Sequence, residues 1–276
     1  MNEPDVSPGA SVLATLIADL TAEQRSLDDV VASLDDEQWR LATASPGWTV
    51  ADQLGHLAYF DAAAVTAIER PEVFAAAAKE LLRGALTGGL DDVTLHSFRA
   101  LTPRAQLDAW RRHRHELARA ARTLREGARV PWYGPPMGTN SFLSARLMET
   151  WAHGVDVRDA VGAPRDASDR LRHVAQLGFN TRNWSYVVRG ERAPEGDVAL
   201  HLTGPDGAIW KWGEDARDTI RGSAEEFCLV VTQRRHVADT TLETGDLGAH
   251  WLERAQAFAG APSKGPAPRG EPWPSS

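Results

Sequence analysis

The sequence contains very little cysteine and no long apolar run. Cys228 is the only cysteine among 276 residues, which excludes an intrachain disulfide framework and a zinc site built from several cysteines. No stretch approaches the roughly 18 consecutive apolar residues of a membrane-spanning helix. The segment 1–11 lacks the basic and apolar parts of a secretory signal. We therefore expect a cytoplasmic protein that is neither exported nor bound to a membrane.

Basic residues are in deficit, and several well-known catalytic motifs are missing. Lysine and arginine total 30 against 38 aspartates and glutamates, which gives a formal net charge of −8. Nucleic-acid binding requires a clustered excess of basic residues, so no nucleic-acid partner is expected. The sequence has no P-loop, dinucleotide-binding glycine motif, G-x-S-x-G elbow or H-E-x-x-H motif. Cys228 lies in an apolar run typical of a buried thiol, and we do not expect it to be a nucleophile.

Apolar residues at three- and four-residue spacings predict a helical first two thirds of the chain. Thr49 precedes Asp52 by three residues, a capping pattern that marks one helix start. A segment rich in proline and glycine, 130–140, predicts an irregular loop. The predicted helices cover 12–34, 50–68, 73–82, 92–98, 103–124, 140–160 and 168–188.

The last third has a different pattern, which indicates an α+β protein. Alternating residues around a Gly-Pro-Asp-Gly turn predict a hairpin of strands at 198–202 and 208–212, with a third strand at 218–221. Helices are predicted at 224–232 and 248–258. The sequence thus divides into a helical domain over 1–190, a small α/β domain over 191–260 and a flexible tail rich in proline, glycine and serine over 261–276.

Two candidate metal ligands occur four residues apart on one predicted helix. Glu149 and His153 would lie on the same helix face, because residues i and i+4 are surface neighbours. A carboxylate oxygen and a neutral imidazole together suit Zn²⁺ or a similar divalent metal. The alternative is a helix-stabilising Glu–His pair that binds nothing.

A third candidate ligand, His56, lies on the apolar face of another predicted helix. A histidine in such a place must form a hydrogen bond or bind a metal. A hydrogen-bonded core histidine is the alternative. Together with Glu149 and His153, it would complete a set of three protein ligands with an open fourth position, the arrangement of catalytic zinc sites.

These residues resemble a known family. The segment Pro46-Gly47-Trp48-Thr49-Val50-Ala51-Asp52-Gln53-Leu54-Gly55-His56-Leu57, followed by Glu149-x-x-x-His153-x-x-Asp156, is similar to the mycothiol-dependent maleylpyruvate isomerase family of the DinB/YfiT-like superfamily. The resemblance implies a DinB-like four-helix bundle, followed by a small C-terminal α/β domain related to sterol-carrier modules. It also implies a divalent metal held by His56, Glu149 and His153.

Several further residues are candidates for the surroundings of the metal. Asp156 could orient a ligand as a hydrogen-bond acceptor, or form a salt bridge or cap within the bundle. Arg146, one turn before Glu149, could bind an anion, although a helical arginine is usually a surface residue. Trp151 flanks the predicted ligands, and Trp132 and Tyr133 lie in the predicted loop, so these three and Arg146 are candidate residues for binding a thiol cofactor.

The resemblance implies an enzyme that uses a small thiol, commonly the actinobacterial mycothiol. A thiol near the metal would lose its proton close to neutral pH and attack a small electrophile, as an isomerase or as an S-transferase. Two alternatives are a hydrolase that activates water at the metal and a non-catalytic protein that binds a small molecule. Zinc is the first choice of metal, with nickel or iron as alternatives. Both a monomer and a homodimer are compatible with the sequence.

Overall fold

The computed structural model describes residues 11–165 and 167–269. Within them the predicted α+β class is confirmed. The helices are α1 (Val12–Val31), α2 (Val50–Glu69), α3 (Pro71–Gly88), α4 (Leu90–Thr94), α5 (His96–Arg99), α6 (Pro103–Ala121), α7 (Thr139–Val161), α8 (Leu171–Asn180), α9 (Arg182–Val187), α10 (Ala224–Val231) and α11 (Asp246–Leu252). The strands are β1 (Arg129–Val130), β2 (Met137–Gly138), β3 (Val198–Thr203), β4 (Ile209–Trp212) and β5 (Asp218–Ser223).

Four long helices, α1, α2, α6 and α7, form a bundle. Helix α2 packs against α6 and α7, and α1 packs against the same two helices. Buried leucines at helical spacing, such as Leu16 and Leu20 on α1 and Leu54 and Leu57 on α2, form the interior. None of the helices among the described residues is long and apolar enough to cross a membrane.

Local capping sets the ends of the two helices that carry the candidate ligands. The Thr49 hydroxyl accepts a hydrogen bond from the Asp52 amide, and the Asp52 carboxylate accepts one from the Thr49 amide, so a complete capping box begins α2. Helix α7 ends at Val161 and is capped by Gly162, whose φ of 68° is in the left-handed region that glycine adopts without steric cost.

Several predicted helix boundaries were wrong. Helix α1 ends at Val31, although Leu34 continues the apolar period, because the Ser33 and Leu34 amides bond to carbonyls three residues back and close the helix. Leu34 packs from beyond this end on the cluster that contains Leu27. The helix predicted over 168–188 is divided into α8 and α9 at Thr181, whose hydroxyl donates to the Leu177 carbonyl. The helix predicted over 92–98 is likewise divided into α4 and α5, and the one predicted over 73–82 is longer. Those predicted over 103–124 and 248–258 end earlier, at Ala121 and Leu252.

The C-terminal sheet has β3 in its centre. Strand β4 pairs with β3 antiparallel, as the predicted hairpin requires, and β5 pairs with β3 in parallel on the other side. Leu200 on β3 faces Trp212 on β4 and Ile220 on β5 in register, and all three side chains are buried. The predicted third strand is therefore present.

The bundle and the sheet share one hydrophobic core. Helix α8 packs against α7 on the bundle side and against α10 on the sheet side. Buried residues from Leu16 in α1 to Leu200 in β3 and Trp251 in α11 belong to one contiguous cluster. The division into domains at residue 190 stays a prediction, and the continuous core fixes the relative position of the two parts.

The described part of the predicted flexible tail, 261–269, lies against the end of α9 and against residues 191–260, which we call the C-terminal unit. The Ser263 carbonyl accepts hydrogen bonds from Arg189 and Gln233, and the Arg269 amide donates to Asp239. The rest of the predicted tail, 270–276, lies outside the described residues.

Candidate metal centre

The structure brings the three predicted ligands together. His56 Nε2 lies 3.3 Å from Glu149 Oε2, and His153 Nε2 lies 3.1 Å from the same oxygen. The three ligand atoms are all within 4.8 Å of one another. Tetrahedral coordination with bonds of about 2.1 Å places ligand atoms about 3.4 Å apart, so the spacing fits a divalent metal.

Helix geometry explains why these side chains meet. Glu149 and His153 are four residues apart on α7, so they share one face. His56 lies on α2, which the capping box at Thr49 and Asp52 starts in a fixed register. Because α2 and α7 pack against each other in the bundle, the two faces point at one common position.

A hydrogen-bonded chain fixes the tautomer of His153. The Thr43 hydroxyl donates its hydrogen to the Trp48 carbonyl (3.0 Å), so it accepts from Gln53 Nε2 (2.8 Å). The Gln53 amide oxygen therefore faces His153 Nδ1, which must carry the hydrogen of that bond. The neutral ring then presents an unprotonated Nε2, the form that binds a metal.

The pKa values of two ligands are shifted from their ordinary range. Burial lowers the pKa of His153 to about 4, and the nearby charge of His56 acts in the same direction. Burial raises the pKa of Glu149, but the neighbouring imidazoles of His153 and His56 outweigh that effect and hold it well below its usual range. At neutral pH the cluster is thus a carboxylate facing a neutral imidazole.

The donor set fits a divalent cation. His153 Nε2 and Glu149 Oε2 are both hydrogen-bond acceptors in this protonation state and lie 3.1 Å apart. Two lone-pair donors held at that distance repel each other unless a cation lies between them. Two imidazole nitrogens and one carboxylate oxygen are ligands that zinc accepts, and nickel and iron also bind such sets.

Asp156 makes an ion pair that leads to the C-terminal unit. Its Oδ2 accepts hydrogen bonds from Arg234 Nη2 (2.9 Å) and from the Ser45 hydroxyl (3.2 Å). The same oxygen is 3.9 Å from His153 Nδ1, too far for a hydrogen bond. Of the two roles expected for Asp156, the contacts favour the salt bridge, although its partner follows α10 rather than belonging to the bundle. Gln53, rather than Asp156, accepts the hydrogen bond from His153 Nδ1.

Aromatic rings surround the cluster. The Trp48 ring stacks on His153 at a centroid distance of 5.8 Å and lies 5.2 Å from His56. Phe60 lies 4.5 Å from the His56 ring. Trp132 and Tyr133, predicted to border the pocket, contact the far side of this layer through Phe60, at 6.3 and 5.5 Å.

The segment that carries Trp132 and Tyr133 is irregular as predicted, but it covers only 131–136 and not the whole of 130–140. Strands β1 and β2 pair antiparallel, with Val130 opposite Met137, and α7 already begins at Thr139. This short hairpin holds Trp132 stacked on Phe74, with ring centroids 5.4 Å apart.

Arg146 and Trp151 do not point at the three ligands. Arg146 is 3% exposed and donates to Asp61 Oδ1 at 2.9 Å, where Asp61 is fully buried. The surface location usual for a helical arginine was thus wrong for Arg146, because Asp61 balances its charge inside the bundle. Trp151 is two residues from each ligand on α7, about 200° around the helix. It lines a small cavity with Leu27 on the side of α1.

Sequence reasoning missed Gln53, Thr43, Phe60, Asp61 and Arg234. Gln53 precedes His56 by three residues and so lies on the same helix face, a signal that could have identified it. Phe60 follows His56 by four residues, so the same signal applies to it. Thr43, Asp61 and Arg234 become neighbours of the site only through tertiary packing. Cys228 is fully buried, and burial raises the pKa of its thiol, in accord with its exclusion as a nucleophile.

The fold is a helical bundle followed by a small mixed sheet, and two neighbouring helices of the bundle carry a histidine/glutamate/histidine cluster. These features define a DinB-like class of protein. The family model described as the mycothiol maleylpyruvate isomerase N-terminal domain matches residues 20–158. This range is half of the chain and contains all three candidate ligands. The chain belongs to this family, and the predicted family membership is confirmed.

Relatives and solved structures agree with this assignment. Uncharacterized proteins of two strains of Mycobacterium tuberculosis are 42% identical over 255 residues, which cover 90% of this chain and 97% of each relative. Two crystal structures of a mycothiol-dependent maleylpyruvate isomerase, one of them with a histidine replaced by alanine, align with a TM-score of 0.54. They share 18% identity and cover 80% of this chain and 89% of those chains, so they show the fold.

Proposed function

We propose that this protein is a metal-dependent enzyme that uses a small thiol of the mycothiol type to transfer sulfur to, or isomerise, a small electrophile. The convergence of His56, Glu149 and His153, with Nε2 of His153 left unprotonated by Gln53, carries the proposal. Membership in a family named after a mycothiol-dependent isomerase supports the choice of thiol. Zinc is the metal proposed first.

The residues of the chain hold the reactants rather than react with them. When bound, a divalent cation supplies positive charge, which lowers the pKa of an incoming thiol from about 8.5 toward neutrality. His56, Glu149 and His153 would hold that cation, and Gln53 and Thr43 keep the His153 ring in place. The exposed parts of His56 and Glu149, 15% and 23% of their side chains, leave a side from which reactants approach.

Bonds and electrons are conserved in both proposed reactions, isomerisation and sulfur transfer. In isomerisation, the thiolate adds to a conjugated double bond, the former double bond rotates, and the thiolate leaves again with its electron pair. In transfer, the sulfur–carbon bond stays and a leaving group departs with its electrons. Neither reaction requires a nucleophile from the protein, in accord with the buried position of Cys228.

Metal analysis followed by thiol titration tests the proposal. We expect the purified protein to hold close to one divalent metal per chain. After exchange to cobalt, mycothiol is expected to produce a new cobalt–sulfur absorption. A metal-containing protein with an unchanged cobalt spectrum would favour a hydrolase, and a protein without affinity for metal would favour a non-catalytic binding role. We further propose that it acts in the cytoplasm, as a monomer or a homodimer.

A further inference from the structure

The two histidines of the metal centre are oriented in different ways. The ring of His153 is fixed by the hydrogen bond from its Nδ1 to the Gln53 amide oxygen. Nδ1 of His56, in contrast, makes no hydrogen bond with any residue of the described ranges, 11–165 and 167–269. Metal-binding histidines usually donate from this second ring nitrogen to an acceptor, which sets the orientation of the ring. Apart from its contact with Glu149, His56 is therefore oriented by the side chains that pack against its ring.

Trp48 and Phe60 are the aromatic side chains that pack against the His56 ring. Their ring centroids lie 5.2 and 4.5 Å from it, and both rings are tilted by 49°. Phe60 belongs to the same helix and follows His56 by one turn, so the helix itself sets its position. Trp48 precedes the helix. Its carbonyl accepts a hydrogen bond from the Thr43 amide and its amide donates to the Ser45 carbonyl, which fixes the backbone but not the indole.

Asp91 on α4 holds the indole. Its Oδ2 accepts a hydrogen bond from Trp48 Nε1 at 2.7 Å, although the two residues are 43 positions apart in the chain. A glycine on α2 allows this approach, because a Cβ at Gly55 would lie 3.0 Å from Phe98 Cβ and 3.4 Å from Leu95 Cδ2. Leu95, which joins α4 to α5, is fully buried there. The close packing of this segment on α2 brings the Asp91 carboxylate within reach of the indole.

Resting on the proposed function, we infer that Asp91 is a positioning residue of the metal centre. It holds the Trp48 indole against His56, and the indole keeps His56 Nε2 directed at Glu149 Oε2. Asp91 thus does for His56, through a ring, what Gln53 does for His153 through a hydrogen bond. A side chain that is ordered in advance loses less entropy when it binds a ligand. Loss of the Asp91–Trp48 bond therefore weakens metal binding without removing a ligand.

Zinc affinities of Asp91 variants, measured by competition with a chelator, test the inference. Asp91→Ala is expected to bind zinc about tenfold more weakly, at the lower end of the range usual for residues that orient a ligand. Asp91→Asn removes the charge but keeps an acceptor oxygen, and it is expected to stay close to the wild type. Asp108→Ala, which removes an exposed carboxylate paired with Arg104, is the control and is expected to have no effect. If Asp91→Asn loses as much affinity as Asp91→Ala, the charge and not the hydrogen bond is responsible, and the inference fails.

A double-mutant cycle shows whether Asp91 acts through Trp48. Trp48→Phe keeps an aromatic ring but has no N–H for Asp91, so it is expected to lose at least as much affinity as Asp91→Ala. Adding Asp91→Ala to Trp48→Phe is expected to cause no further loss, because both changes remove the same bond. Additive losses would overturn the inference. Wild-type affinity in Trp48→Phe would also overturn it, and this result decides even if Asp91→Ala misfolds.

A measurement without metal separates this inference from the proposed function. In NMR spectra of the metal-free full chain, the ring current of Trp48 shifts the ring protons of His56, and Asp91→Ala is expected to move these signals. The signals of His173, which contacts Asp19 elsewhere on the surface, are expected to stay in place. If the wild type binds no metal, the proposed function fails, while this comparison still decides whether Asp91 positions the ring. Unchanged His56 signals in Asp91→Ala would overturn the inference and leave the proposed function standing.

Discussion

Gln53 accepts a hydrogen bond from His153 Nδ1 across the contact between α2 and α7. The amide that makes this bond is itself held, because its Nε2 donates to the Thr43 hydroxyl at 2.8 Å. A residue between the capping box and His56 on α2 thus determines which nitrogen of a histidine on α7 faces the metal position.

Gln53→Ala is therefore expected to weaken metal binding by about 10- to 100-fold, the usual effect of losing a residue that orients a ligand. Competition with a chromogenic chelator measures the affinity. Gln176→Ala is the matched control, because Gln176 Oε1 on α8 likewise accepts a hydrogen bond, from Trp212 Nε1 on β4. Equal metal affinity in the Gln53 variant and the wild type would contradict the orienting role.

His153→Ala is expected to lose most of its bound metal and its activity, because two remaining ligands do not hold a divalent ion firmly. Glu149→Gln is expected to keep the fold and to weaken the metal, since an amide oxygen carries no charge. Elemental analysis of the purified variants measures both effects. His173→Ala serves as the control, because His173 contacts Asp19 at 2.8 Å on another part of the surface. A normal metal content in His153→Ala would refute the ligand assignment.

The cluster of candidate ligands was accessible to sequence reasoning, while most of its surroundings were not. The i, i+4 spacing of Glu149 and His153 and the capping pattern before His56 are local features that a single sequence displays. The contact between Asp156 and Arg234 joins residues 78 positions apart, and it exists only because the sheet unit packs against α7.

Trp151 shows that closeness in the sequence can also mislead a prediction of the site. Its position between two ligands in the sequence suggested proximity to the metal, but residues at i+2 on a helix point to the opposite side. Arg146 lies one turn from Glu149, and its role could not be read from α7 alone, since its partner Asp61 lies on α2.

The Asp61–Arg146 pair predicts a large effect on stability. Arg146 and Asp61 have side chains that are 3% and 0% exposed, and removal of one member leaves the other charge buried without a partner. Asp61→Ala is expected to lower the free energy of unfolding by about 3 kcal/mol or more, measured by urea denaturation. Glu80→Ala is the control, because it breaks a surface pair with Arg83 whose side chains are about 70% exposed. It is expected to leave the urea concentration at the midpoint of unfolding unchanged.

A double variant distinguishes charge from packing at this pair. Asp61→Leu combined with Arg146→Leu removes both charges and is expected to be more stable than Asp61→Ala alone. If the double variant is less stable than the single one, the cost comes from lost packing rather than from an unpaired charge.

Asp218 predicts a pH-dependent contribution to stability. Burial raises the pKa of Asp218, but hydrogen bonds from the backbone amides of Gly248, Gly245 and Thr219 outweigh it, so the pKa lies below its ordinary value of 3.8. A carboxyl whose pKa is lower in the folded state contributes stability above its unfolded pKa and loses it as the pH falls through the folded pKa.

Asp218→Asn is accordingly expected to lower the melting temperature at pH 7, and the difference from the wild type is expected to shrink below about pH 3.8. Differential scanning calorimetry between pH 7 and the acidic range measures the difference in melting temperature. Asp206→Asn provides the control, because Asp206 lies in the exposed turn between β3 and β4 and caps only Ala208. A difference that stays constant as the pH falls would exclude a charge effect at Asp218.

The contacts of residues 261–269 predict that the end of the chain contributes to stability. Composition alone suggests that truncation after Gly260 changes little. The structure leads to the opposite expectation, because Ser263 and Arg269 connect to Gln233 and Asp239 by hydrogen bonds. Truncation after Gly260 is expected to lower the melting temperature by several degrees.

Truncation after Arg269 retains these contacts and is the matched control, expected to melt like the full chain. The two truncations differ only in residues 261–269, so their comparison isolates the hydrogen bonds described for that segment. Identical melting of the two truncated proteins would show that this part of the chain contributes nothing to stability, as composition alone suggests. Loss of metal from the shorter protein alone would mean that packing of the tail is transmitted through α10 and Arg234 to Asp156, beside His153.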